Sequence, residues 1–133
     1  MEYTPNKTAV EQVLALKPFE RYQHTIKKAA DFELIYTLAH EDGTLAIAEV
    51  EGESLISFWP AAIYADYAEA NAVDAWANCY TLAVSLKELL TTHLELFKKN
   101  GFLVNVFPKQ DKTGFIVSLG EFRVDLEEEL ENY

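Results

Sequence analysis

His40, Glu41 and Asp42 stand side by side in a chain with three histidines, and a metal or acid/base centre is the chemistry such a triplet could do. Neighbouring residues on a strand point to opposite faces, so His40 and Glu41 diverge unless a turn redirects them. Any third ligand would have to come from elsewhere, and the Asp42-Gly43 step predicts a solvated hairpin tip. His93 sits in an apolar helical stripe; acid/base work there needs a carboxylate across the core to orient the ring, and no obvious one is present. Cys79 is a nucleophile only where a histidine or a helix N-terminus lowers its pKa. Its setting, Trp76-Ala77-Asn78-Cys79-Tyr80, is apolar and lacks the glycines of a nucleophile turn, which predicts a buried structural thiol. Ser85 and Ser118 fit helix caps, no GxSxG occurs, and the five glycines are scattered singly rather than gathered into a phosphate loop. No catalytic residue, metal or cofactor is expected.

Binding chemistry is better represented. Tyr36, Phe58, Trp59, Tyr64 and Tyr67 combine large apolar faces with polar tips, a type suited to interfaces and pockets as well as to cores. Asn105 is polar within a run of Phe, Leu and Val, so its amide needs partners at a strand edge or in a ligand. Tyr36, Trp59, Tyr64 and Asn105 are the candidate ligand or partner patch. The alternative is that Trp59 and Tyr64 lock a strand to the helix that follows it.

Charge narrows the partner. The net charge is −11, and no lysine or arginine lies between Lys28 and Lys87. That span holds Asp31, Glu33, Glu41, Asp42, Glu49, Glu51, Glu53, Asp66, Glu69 and Asp74. Nucleic-acid affinity comes mainly from Lys and Arg displacing counterions, so nucleic acid is excluded as a partner, and anionic membrane surfaces with it. The aromatics are not interleaved with cations, which argues against base stacking. Glu41, Asp42, Glu51 and Glu53, on turns, are the candidate acidic surface for a positively charged protein; solubility alone is the competing explanation.

The elements that position these residues follow from local patterns. Thr8 with Glu11 reads as a capping box for a first helix, and Pro18 opens a second through about Ala30, with Arg21, Lys27 and Lys28 on its polar face. Phe32 to about His40, Thr44 to Val50 and Ser54 to Trp59 read as strands around two Gly-containing turns, predicting an antiparallel meander. Pro60 starts a helix ending near Asn71, and Trp76 to Thr81 forms a short strand. Ser85 caps a long helix with Leu86, Leu89, Leu90, His93, Leu94 and Phe97 inward, ended by Asn100-Gly101. Phe102 to Phe107 is a strand, Lys109 to Thr113 a loop, and Gly114 to Val117 a strand. Ser118 caps a last helix with Leu119, Phe122, Leu126 and Leu130 inward.

The order Leu16-Lys17-Pro18-Phe19-Glu20-Arg21-Tyr22, Tyr36-Thr37-Leu38, Asp42-Gly43, Phe58-Trp59-Pro60 with Tyr64-Ala65, and Val104-Asn105-Val106-Phe107-Pro108 resembles the bacterial domain of unknown function 2750 family, from about Leu14 to Leu130. Tyr36 stands where that family often has Trp, and Lys17 where a capping Ser is common. The resemblance implies fold and compartment, and no activity.

The expectation is an α+β fold: an antiparallel sheet of about five or six strands with helices packed mainly on one face, the 133 residues forming one domain. No secretory signal or stretch of ~20 apolar residues is present, and Cys79 is the single cysteine, which predicts a cytoplasmic protein. The function expected is non-enzymatic protein binding, to a protein partner or as a homodimer. The alternatives are a small-molecule-binding or weakly catalytic pocket near Phe58-Trp59-Pro60, and an immunity-type inhibitor of a basic enzyme.

Overall fold

A computed structural model describes residues 2–70, 76, 78–109 and 114–132. Helix α1 (Lys7–Leu14) is capped by Asn6, whose side-chain oxygen accepts the Ala9 amide at 2.8 Å. Thr8 therefore lies inside the helix rather than at its start, since Asn two residues earlier is at least as good a cap. Helix α2 (Pro18–Phe32) begins with proline, whose fixed φ suits a first turn. The Glu20 carboxylate accepts the Lys17 amide at 3.0 Å and steadies that entry although Lys17 offers no acceptor of its own.

Among the described residues six strands follow: β1 (Leu34–Ala39), β2 (Ile47–Val50), β3 (Glu53–Phe58), β4 (Tyr80–Ser85), β5 (Leu103–Val106) and β6 (Phe115–Val117). Glu51 and Gly52 both have positive φ (51° and 82°), the two-residue turn whose twist matches an antiparallel hairpin, and β2 pairs with β3 accordingly. Helix α3 (Ala62–Ala70) joins β3 to β4. Between β4 and β5 the chain passes through α4 (Leu86–Glu88), a π-helical segment (Leu89–His93) and α5 (Leu94–Lys99) without leaving helical backbone angles. Helix α6 (Leu119–Leu130) closes the chain. Ser85 and Ser118 cap as their spacing predicts, each hydroxyl accepting the amide three residues on at 3.1 Å. The loop expected over Lys109 to Thr113 falls largely outside the described residues, as do Asn71 and part of the Trp76 to Thr81 run. The strand expected there is found at Tyr80–Ser85.

The α+β class and the strand number agree with expectation, while the pairing within the sheet differs. β1 does not continue a meander with β2; it touches that region at a single bridge, Ala39–Leu45, and pairs along its length with β4. The other four strands run in the order β2-β3-β5-β6, and β3 and β5 are parallel. A parallel pair needs a crossover, supplied by α3, β4 and the helices that follow. β1 is apolar on both faces and buried from Ile35 to Ala39, which suits a strand covered on both sides rather than the first strand of an open meander. The two ladders meet where Tyr36 and Trp59 exchange both backbone hydrogen bonds, at 3.0 and 2.9 Å.

One continuous core joins these layers. Phe58 packs on Phe97 of α5 and Phe122 of α6, and Phe115 packs on Tyr22 of α2, so these helices cover the same face of the four-stranded sheet. Arg21 is buried rather than solvated on the outer side of α2. It lies on the row Arg21, Thr25, Ala29, directly beside Tyr22, Ile26 and Ala30, and all six are buried.

Candidate functional site

The aromatic residues singled out in the sequence converge on one buried junction. Trp59 is fully buried; its indole N–H donates to the Pro108 carbonyl at 3.0 Å, and its ring meets Trp76 edge-on at 5.5 Å. Phe107 carries φ of 56°, a left-handed conformation that is costly for an L-residue and further disfavoured before proline. It is held there from several sides. Its amide donates to the Phe58 carbonyl at 2.8 Å, its carbonyl accepts Arg21 Nε at 3.2 Å, and its ring lies 4.7 Å from Tyr64 and 5.6 Å beneath the Arg21 guanidinium. Arg21 Nη1 also donates to the Leu16 carbonyl at 2.5 Å. The Phe-Trp-Pro and Val-Phe-Pro segments thus bind each other, with Arg21 tying α2 to both.

Tyr36 and Tyr64 are buried in the same region. The Tyr36 hydroxyl donates to the Glu2 carboxylate at 3.0 Å, and burial, then Glu2, pushes its pKa up to about 12. Burial, then Tyr3, raises the Tyr64 pKa as well. Asn105 lies on β5, an inner strand rather than an edge, and its side-chain oxygen accepts the Gly114 amide at 2.7 Å. The polar ends of Tyr36, Trp59 and Asn105 are therefore occupied by the chain itself.

Glu41, Asp42 and Glu51 are exposed on turns, while Glu53, expected on a turn, is the exposed first residue of β3. The turns lie at opposite ends of β2, so they do not form one contiguous surface. Asp42 accepts the Thr44 amide at 3.0 Å and the Thr44 hydroxyl at 2.6 Å, which holds its carboxyl below the usual carboxylate range.

A Cys–His pair appears that sequence reading did not join. Ala39 and Tyr80 are register partners, which places His40 opposite Cys79, with Nδ1 3.4 Å from Sγ. Burial, and then the charge of Glu69, pushes the thiol pKa up rather than down, so it rests protonated and is a poor nucleophile. His93 stacks on Phe97 at 6.2 Å and lines a cavity of about 50 Å³ with Thr37, Leu45, Phe58, Leu82, Val84 and Leu89; no carboxylate faces it there. Among the described residues no group of three His, Cys, Asp or Glu side chains could hold a metal ion.

The feature with most chemical character is a groove of about 460 Å³ between α2 and α6. From α2 it takes Phe19, Tyr22, Gln23 and Ile26; from α6 and its end it takes Glu121, Asp125, Glu128, Glu129 and Asn132. Positions 121, 125, 128, 129 and 132 fall on one helical face because the α-helix repeats at 3.6 residues, and the face beside it buries Phe122 and Leu126. Phe19 is 50% exposed, its ring braced by Tyr22 at 6.3 Å and Phe115 at 5.1 Å. The Tyr22 hydroxyl donates to Asp125, and its pKa is raised by burial, by that bond, and by the charges of Asp125 and Glu121. Among the described residues no lysine, arginine or histidine lines the groove. The two ion pairs found among the described residues both belong to Arg123, with Glu95 and Glu127 as partners, so neither neutralises a groove carboxylate. The result is an apolar aromatic floor beneath four carboxylates.

Glu121, Asp125, Glu128 and Glu129 were legible as a stripe at helical spacing, but charge counted along the chain draws attention to the cation-free middle. Phe19 reads as a core residue until the structure shows half of it in solvent.

Among the described residues, six strands in two ladders with helices over one face define a mixed α+β protein. A family model described as "protein of unknown function (DUF2750)" matches residues 22–126, and the chain belongs to that family. No curated protein matches it. Among the described residues no helix is long and apolar enough to cross a membrane.

Proposed function

We propose that the chain is a non-enzymatic, cytoplasmic, single-domain protein-interaction module that binds a positively charged segment of another protein in the α2–α6 groove. The observation that carries this reading is the set of four carboxylates around an exposed aromatic ring, with no cation beside them among the described residues. An incoming cation gains charge-assisted hydrogen bonds from these carboxylates. The exposed carboxylates at Glu41, Asp42, Glu51 and Glu53 add to the negative field that steers such a partner and speeds encounter. The same field works against nucleic acid and against a second copy of a chain with net charge −11. Inhibition of a basic enzyme is one form this activity would take. The raised thiol pKa at Cys79 weighs against the weakly catalytic alternative.

The test is capture from cytoplasm with the tagged protein beside a Glu121→Lys, Glu128→Lys, Glu129→Lys variant of equal melting temperature. Basic proteins retained by the wild type, released as salt rises from ~0.05 to ~0.5 M and lost in the variant, are the expected result, since screening shortens the reach of exposed charge. Equal retention by both proteins would overturn the docking site.

A further inference from the structure

We propose that the segment bound in the groove is an α-helix carrying arginines on one face, at positions i, i+4 and i+7. This rests on the docking reading above and specifies its partner.

The spacing comes from α6. At ~1.5 Å rise per residue, Asp125 lies ~6 Å along the axis from Glu121, and Glu128 and Glu129 lie ~10.5–12 Å from it. A second helix laid alongside repeats its own face at the same intervals, whichever way it runs. Three cations at i, i+4 and i+7 therefore meet three carboxylate positions together. An extended segment presents same-side residues every ~6.6–6.8 Å, so its first two cations fit while the third overshoots Glu129 and Glu128 by about 1–3 Å. The groove is also bounded by two helices, α2 and α6, which pack against one another. A third helix seated between them would bury its apolar positions on the exposed Phe19, the mode by which amphipathic helices occupy grooves.

The choice of arginine comes from Phe19. Its ring is half in solvent beside the acidic stripe. A guanidinium can lie flat on such a ring and still reach a carboxylate with two N–H donors, whereas an ammonium acts as a point charge and is more strongly hydrated. The aliphatic stem of the same side chain covers apolar floor as it crosses the groove.

Three labelled synthetic peptides of one length, on an alanine-rich host, separate these elements. One carries arginine at i, i+4 and i+7; a second has the same composition with arginine at i, i+2 and i+4; a third replaces the helically spaced arginines by lysine. Binding is read by fluorescence anisotropy at fixed low salt, and the bound peptide's helicity by circular dichroism. The helically spaced arginine peptide should bind at least tenfold tighter than its isomer and severalfold tighter than the lysine peptide, gaining helicity on binding. Phe19→Ala should remove the arginine preference, and Glu128→Gln should weaken the helically spaced peptide most.

Equal affinity for the two arginine isomers, or tighter binding of the alternately spaced one, overturns the helical partner while leaving an acidic docking site in place. Equal affinity for arginine and lysine overturns the role given to Phe19. Failure of all three to bind, while basic proteins are still captured in a groove-dependent way, overturns the helical inference alone. Failure of capture as well overturns the docking reading on which it rests.

Discussion

Trp59→Ala should lower stability by about 3–5 kcal/mol, the cost of removing a buried aromatic and leaving its cavity. Every part of the side chain is engaged. It is fully buried, its ring meets Trp76, and its N–H holds the Pro108 carbonyl. Its backbone carries both hydrogen bonds that join the two ladders through Tyr36. Truncation leaves the Pro108 carbonyl without this donor at the point where Phe107 is kept in a left-handed conformation, so the loss should spread to the Arg21 contacts. Urea titration followed by circular dichroism reads the change. An unaltered midpoint with weakened partner binding would instead place Trp59 at an interface.

Gly114→Ala should be the next most damaging single change. A Cβ built on Gly114 would sit 2.0 Å from the Val106 carbonyl oxygen and 2.7 Å from the Phe107 carbonyl carbon. Both obstacles are backbone, which cannot swing aside as a side chain does. Overpacking in a well-packed region costs ~1–3 kcal/mol, and rigid obstacles put this change at the upper end of that range. The close approach lets the Gly114 amide reach Asn105 Oδ1, so relaxation would also cost that bond and the start of the β5–β6 pairing. Asn105→Ala, which removes the bond without the clash, should cost less than Gly114→Ala. The reverse order in a thermal melt would show that the approach is not tight.

What the chain discloses in advance is local. The caps at Ser85 and Ser118, the proline start of α2 and the turn before β3 each depend on residues within four positions of one another. Partners across the chain are not disclosed in the same way. Nothing near His40 points to Cys79, because that proximity follows from the pairing of β1 with β4, some forty residues apart. Alternation identifies β1 and β3 as strands without choosing their neighbours. Arg21 reads with Lys27 and Lys28 as a polar face because its type is polar, yet it lies on the buried side, where backbone carbonyls satisfy it. The π-helical turn at Leu89–His93 also left no mark, since the apolar stripe before and after it stays in phase closely enough to read as one α-helix. For the groove, the α6 half was written in the spacing of its carboxylates, and the α2 half depended on where Phe19 would come to rest.

The central claim is the location of the docking surface, and chemical-shift mapping on the isotope-labelled protein tests it most directly. On titration with a short oligoarginine peptide at low salt, backbone amide shifts should concentrate at residues 19–26 and 121–132 and be reversed by added salt. Shifts confined to residues 41–44 and 51–53, with the α2 and α6 amides unmoved, would contradict the account.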